Sequence, residues 1–221
     1  MPIEDTLTQT GRSLISGVKA VWDKIKRMWS SVHNKIKEFW GSFRSLIEEQ
    51  EPYQEQDNSE LRERITVTIK SLLGDAPLQA MCDCNISERK EIVVELIDKI
   101  ATEMAIESPN VNIETLKKDL MGYYSLEHNE IVVNLSMLTC HPMGLDEATE
   151  LLDTIIHEMY HAFQHQAICN PGRFGISTNT ALIWERNFEN YISPEQNPYL
   201  YYEQPVEESA RSFAHLIVLQ F

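Results

Sequence analysis

The segment His157-Glu158-Met159-Tyr160-His161 sets two imidazoles four residues apart, with a carboxylate directly after the first. On an α-helix, residues four apart lie about 40° from each other around the axis, so both rings reach one metal ion. Glu158 projects about 60° from His161, close enough to a water held at that ion to take its proton without becoming a ligand. The chemistry permitted is metal-assisted hydrolysis. Zinc lowers the pKa of water and polarises a carbonyl, and the carboxylate carries the proton to the leaving amine. The structural alternative is a buried polar network in which the three side chains satisfy one another.

A catalytic zinc commonly takes three protein ligands and keeps a fourth place open. Ala167 stands six residues after His161, where a metzincin would carry its third histidine, and no Met follows Met159 to make a Met-turn. No Asp occurs after Asp153, which excludes a downstream aspartate ligand. His165 lies one turn past His161 and about 80° from His157, and is expected to face solvent or a ligand rather than the metal. The remaining candidates are Glu185, Glu189, Glu195, Glu203, Glu207 and Glu208.

The motif sits inside a long helix expected over Asp146 to Ala167, where Leu151, Leu152, Ile155, Ile156, Met159 and Phe163 place apolar groups on more than one side. Such a helix runs through the middle of a domain. Other helices are expected from about Ser59 to Leu73, from Asn85, from Thr180 to Tyr191, and from near Pro205 almost to Phe221. At Asn85 the glutamate three residues on, Glu88, completes a capping box. Residues 121–138 change period: Gly122-Tyr-Tyr-Ser-Leu and Ile131-Val-Val-Asn-Leu read as strands, joined through Glu127-His-Asn-Glu as a hairpin.

The helix ending His-Glu-Met-Tyr-His-Ala-Phe-Gln, with the later Tyr202-Glu-Gln-Pro-Val-Glu207-Glu-Ser-Ala210-Arg-Ser-Phe-Ala214, resembles the short glutamate zincins of bacteria, phages and bacterial toxin modules. The likeness covers roughly residues 110–220. It implies a zinc metallopeptidase in which Glu207, two residues beyond a proline and three before a small residue, is the third ligand beside His157 and His161. Glu208 stays a rival for that role. Arg211 departs from the pattern, because larger glutamate zincins often carry an Asp four residues after the ligand, and this leaves open what orients His157 or His161. The resemblance also implies that the strand at Glu130 to Leu135 lies at a sheet edge, borders the cleft and pairs with extended substrate. Tyr191, Tyr201 and Tyr202 are candidates for stabilising a tetrahedral oxyanion, with plain packing as the alternative.

The composition divides the chain. Overall it has a net charge of −15 and 43% hydrophobic residues, enough for a core and unsuited to nucleic acid as a partner. Yet residues 1–47 carry eight basic side chains against Glu4, Asp5, Asp23 and Glu38. Val21 to Ser31 is repeated as Val32 to Ser42, a period of eleven residues that returns the same side chains to one helical face. Val21, Ile25, Trp29, Val32, Ile36, Trp40 and Phe43 lie on that stripe, bordered by lysines. It fits an amphipathic helix that packs on another helix or on its own domain, or one that lies at an anionic membrane surface. In wording the repeat also resembles helical repeats of phage tape-measure proteins. Residues 48–58 are polar and acidic with one proline and read as a linker.

Cys82, Cys84, Cys140 and Cys169 are too irregular for a disulfide framework and read as reduced thiols, with a soft-metal site at Cys82 and Cys84 as the alternative. The N-terminus lacks the pattern of a secretory signal, and no apolar run is long enough to span a membrane. A cytoplasmically made, soluble protein is expected, with membrane-surface association or signal-independent export as further routes. The expected organisation is a helical arm over residues 1–55 and an α+β, zincin-like domain over residues 56–221. The expected function is Zn2+-dependent hydrolysis of a peptide or protein substrate. Two rivals are a phage-derived or membrane-associated interaction protein with a vestigial site, and a zinc hydrolase acting on another bond.

Overall fold

A computed structural model describes residues 58–221. The arm and repeat expected within residues 1–55, and with them the membrane or helical partner expected for residues 12–47, lie outside the described residues.

The architecture is α+β, mostly helical with one three-stranded sheet. In chain order come α1 (Ser59–Leu73), α2 (Pro77–Asp83), α3 (Ile86–Met104), β1 (Asn110–Glu114), β2 (Gly122–Ser125), β3 (Glu130–Asn134) and α4 (Leu135–Thr139). The long α5 (Leu145–Cys169), a 3-10 turn at Pro171–Phe174, α6 (Thr178–Glu189), α7 (Pro198–Tyr202) and α8 (Pro205–Val218) complete it. The capping box that starts α3 forms as the spacing predicts: the Asn85 side chain accepts from Ser87 N and Glu88 N, and Glu88 Oε2 accepts from Asn85 N at 2.8 Å. Among the described residues no helix is long and apolar enough to cross a membrane.

Helix α5 is the axis of the core. Leu151, Leu152, Ile155, Ile156, Met159 and Ala162 are fully buried along it, each large one contributing about 1.5–3 kcal/mol relative to exposure. The helix packs on α8, α6, α2, α3 and the sheet, which is why its apolar positions wrap more than one face. On the α8 side Tyr160 stacks on Phe213 with ring centroids 4.4 Å apart.

The sheet order is β1-β3-β2, with β1 parallel and β2 antiparallel to β3. This corrects the expected edge position of Glu130 to Leu135. The run is central, flanked on both sides, and its last residue, Leu135, already begins α4. Ile131, Val132 and Val133 are fully buried, as a strand paired on both edges requires. The edge strand beside α5 is β2. A Cβ built on Gly122 would sit 2.8 Å from Val132 O, 3.0 Å from Thr154 Cγ2 and 3.8 Å from Glu158 Cγ, so only glycine lets this strand lie so close to the helix.

Candidate metal centre

His157, Glu158 and His161 lie in the middle of α5, with buried residues of the helix on both sides of them. The two imidazoles converge as four-residue spacing demands, with their Nε2 atoms 3.0 Å apart. Glu207, on the first turn of α8, closes the group. Its Oε2 is 3.3 Å from His157 Nε2 and its Oε1 is 3.3 Å from His161 Nε2. Glu207 is completely buried, whereas Glu208, Glu185, Glu189, Glu195 and Glu203 are exposed. Among the described residues His157, His161 and Glu207 form the one such cluster able to hold a metal ion, and Cys82 and Cys84 belong to none. Glu158 is nearly buried beside the cluster without joining it.

A pair of buried amides puts Glu207 in place. Asn187 on α6 accepts from Val206 N at 3.0 Å and donates to Gln204 Oε1 at 3.0 Å. Gln204 also accepts from Ile192 N and donates to Ile192 O. The free N–H groups of the α8 N-terminus are thus partly satisfied from α6, and the loop after α6 is fastened to the same turn. Tyr191 in that loop donates its hydroxyl to Glu207 Oε1 at 2.7 Å.

A chain of hydrogen bonds also sets the tautomer of His161. Ser209 Oγ donates to Pro205 O, so it is an acceptor for Gln164 Nε2, which donates to Val206 O as well. Both amide donors of the fully buried Gln164 are then committed to α8, and its Oε1 faces His161 Nδ1 at 2.8 Å. Nδ1 must donate there. In the neutral ring the Nε2 lone pair is therefore directed at the cluster. Gln164 answers what orients His161, a role the sequence analysis left open. A glutamine one turn beyond a ligand histidine is the signal that would have found it.

Without an ion, the electrostatics favour a proton in the place the lone pair would offer to a metal. Burial works to lower the His161 pKa, but the hydrogen bond and charge of Glu207 outweigh it and raise it above the ordinary histidine value. Burial likewise pushes Glu207 upward, and the two imidazoles overcome it and hold the carboxyl far below the usual carboxylate range. Burial, followed by the charge of Glu207 and the hydrogen bond to it, raises both Tyr191 and Tyr201 well above an ordinary phenol. Glu158 adds to the negative field felt by His161, Tyr191 and Tyr201.

Two imidazole nitrogens and two carboxylate oxygens, all electron-pair donors, thus meet within about hydrogen-bonding distance of each other. Such a set repels itself unless a proton or a metal cation stands among its members. Glu207 Oε2 is buried with no hydrogen-bond partner, an uncommon condition for a carboxylate oxygen and one that a bound cation relieves. The His2Glu donor set and this orphaned oxygen both fit a metal ion.

The other sequence candidates fall elsewhere. His165 shares a 3.3 Å contact with the Tyr124 hydroxyl of β2, with its pKa lowered by burial, and stays out of the cluster. Tyr191 and Tyr201 both address Glu207, and Tyr202 is exposed with the Arg211 guanidinium stacked on its ring at 3.7 Å. No protein family, curated protein or solved structure matches the chain.

Proposed function

We propose that this chain is a zinc-dependent metallopeptidase of the glutamate-zincin kind. The observation that carries the reading is the convergence of His157, His161 and Glu207, with Glu158 beside them on the same helix. His2Glu with nitrogen and oxygen donors suits zinc, and softer thiolate-selecting metals find no cysteine in the cluster. Bound zinc supplies Lewis-acid chemistry, acidifying water and polarising the scissile carbonyl.

The side chains divide the remaining work. His157 and His161 present ring nitrogens to the ion, and Gln164 keeps His161 in the tautomer that does so. Tyr191 holds Glu207 Oε1 and leaves Oε2 for coordination. A carboxylate oxygen of Glu158 takes the proton of the attacking water and delivers it to the leaving nitrogen. Peptide rather than another substrate is favoured by the sheet. Strand β2 pairs on one side with β3, its Gly122 end abuts Glu158, and its outer edge offers backbone groups to an extended chain.

The test is Glu158→Gln in the full chain, assayed for zinc content and for cleavage of a mixed protein substrate. Zinc should stay near one per chain while turnover falls roughly 10²- to 10⁴-fold, the usual worth of a general base. Undiminished cleavage in this variant would refute the assignment, as would a wild type that binds no zinc.

A further inference from the structure

Arg211 stands one turn beyond Glu207 on α8 and is fastened from outside. Its guanidinium lies on the Tyr202 ring and its Nη2 donates to Tyr202 O. Its Nη1 points inward, buried and without a hydrogen-bond partner, 3.9 Å from Glu207 Oε2. Glu207 Oε2 is itself buried and unpartnered. The separation is too long for a hydrogen bond and shorter than the roughly 4.5 Å that two hydrogen bonds meeting at a water oxygen span. Oε2 has His157 Nε2 beside it at 3.3 Å, but it and Arg211 Nη1 face each other as buried, opposite charges without a hydrogen bond to either. A shift of about 1 Å makes them partners.

We infer that Arg211 is an internal competitor for Glu207 Oε2, a positioning residue that holds the carboxylate when no metal does and lowers the affinity of the centre for a divalent cation. This rests on the metal-centre reading above. The argument is one of valence. Glu207 Oε1 is committed to Tyr191, so Oε2 is the oxygen over which a cation and Arg211 compete. With the ion bound, a fixed positive charge remains a few ångströms behind the ligand in a site largely closed to water. It opposes the ion there with little screening. With the ion gone, the same charge adds to the two imidazoles in offsetting the burial of the Glu207 carboxylate. The tie to Tyr202 keeps the guanidinium from swinging out to solvent, so the competition is built into the fold. Its consequence is a centre that exchanges metal without local collapse, and that fills in step with the surrounding zinc concentration.

The experiment is competition for Zn2+ between the full chain and a fluorescent chelator of known affinity, for wild type, Arg211→Met, Arg211→Gln and Arg211→Lys. The neutral variants should bind zinc about tenfold more tightly, the size of effect expected for groups next to a ligand. Arg211→Lys, which keeps the charge, should stay within about twofold of wild type. In excess chelator the melting temperature of the neutral variants should fall below that of wild type, and added zinc should close the gap. A residue that merely supports the fold would weaken zinc binding on removal, the opposite sign. Unchanged or weaker binding in the neutral variants overturns the inference, as does equal tightening in Arg211→Lys. A wild type that takes up no zinc overturns the metal centre and this inference together. A zinc-binding wild type without tighter neutral variants overturns the inference alone.

Discussion

Two buried charges in this domain are handled in opposite ways. Arg89, only 1% exposed, pairs with no carboxylate among the described residues and spends its guanidinium on four backbone carbonyls. Nε donates to Met81 O at 3.0 Å, Nη1 to Leu138 O and Cys140 O at 3.0 and 2.9 Å, and Nη2 to Cys82 O at 3.2 Å. Those carbonyls end the two short helices α2 and α4, where intrahelical partners run out and the helix dipoles are negative. One cation closes two helix ends, and each of its three nitrogens has a carbonyl partner. Glu207, fully buried as well, is surrounded by His157, His161, Tyr191 and Arg211, and still has an oxygen without a hydrogen bond. The first arrangement is complete and needs nothing further. The second keeps an oxygen that a bound cation would satisfy, and on that difference the proposed metal centre rests.

The contrast is broken most decisively at Arg89. Arg89→Leu leaves two buried and two half-buried carbonyls without this donor and should destabilise the fold by about 3–5 kcal/mol. A urea-denaturation midpoint reads this, and zinc per folded chain should not change. If zinc binding fails while the fold holds, Arg89 serves the site and the distinction is wrong.

At Glu207 the loss should be of metal. Glu207→Gln should abolish stoichiometric zinc by atomic absorption while moving the urea midpoint in chelator far less than Arg89→Leu does. Glu208→Gln is its control, with zinc retained in full, since that side chain is exposed. Zinc retained by Glu207→Gln and lost by Glu208→Gln would assign the ligand to the wrong carboxylate.

A smaller effect sharpens the comparison at Gln164, which belongs to both worlds: its bonds are complete, yet one of them orients a ligand. Gln164→Leu should weaken zinc binding about 10- to 100-fold in a chelator competition. An affinity equal to wild type would mean that Gln164 only joins α5 to α8.

What was legible beforehand follows the range of the interactions. The hairpin joining β2 to β3, the capping box at Asn85 and the long helix around His157 could be read because each depends on neighbours within a few residues. Strand β1 was missed: Asn110-Val-Asn-Ile-Glu is short and polar, and its pairing with β3 is parallel and twenty residues distant in register. Without β1, the buried run Ile131 to Val133 reads as a sheet edge, whereas the edge beside Glu158 belongs to β2. Arg89 lies in Ser87-Glu-Arg-Lys-Glu91, which reads as a solvated helix face, because nothing local tells that two other helices end on it.

The sequence by itself determined that His157 and His161 meet and that Glu158 stands beside them, because helical periodicity is a local rule and four residues make just over one turn. It also narrowed the candidates for a third ligand to a few glutamates, with Glu207 pointed to by resemblance. Only the tertiary structure decided which of them meets the histidines. Glu207 comes to the histidines across 46 residues of chain because Asn187 and Gln204 fasten the α8 N-terminus to α6, and because Gln164 fastens α5 to α8. Those contacts join side chains that are far apart in the chain, and burial gives them their strength. Neither partner, read alone, carries a sign of the other.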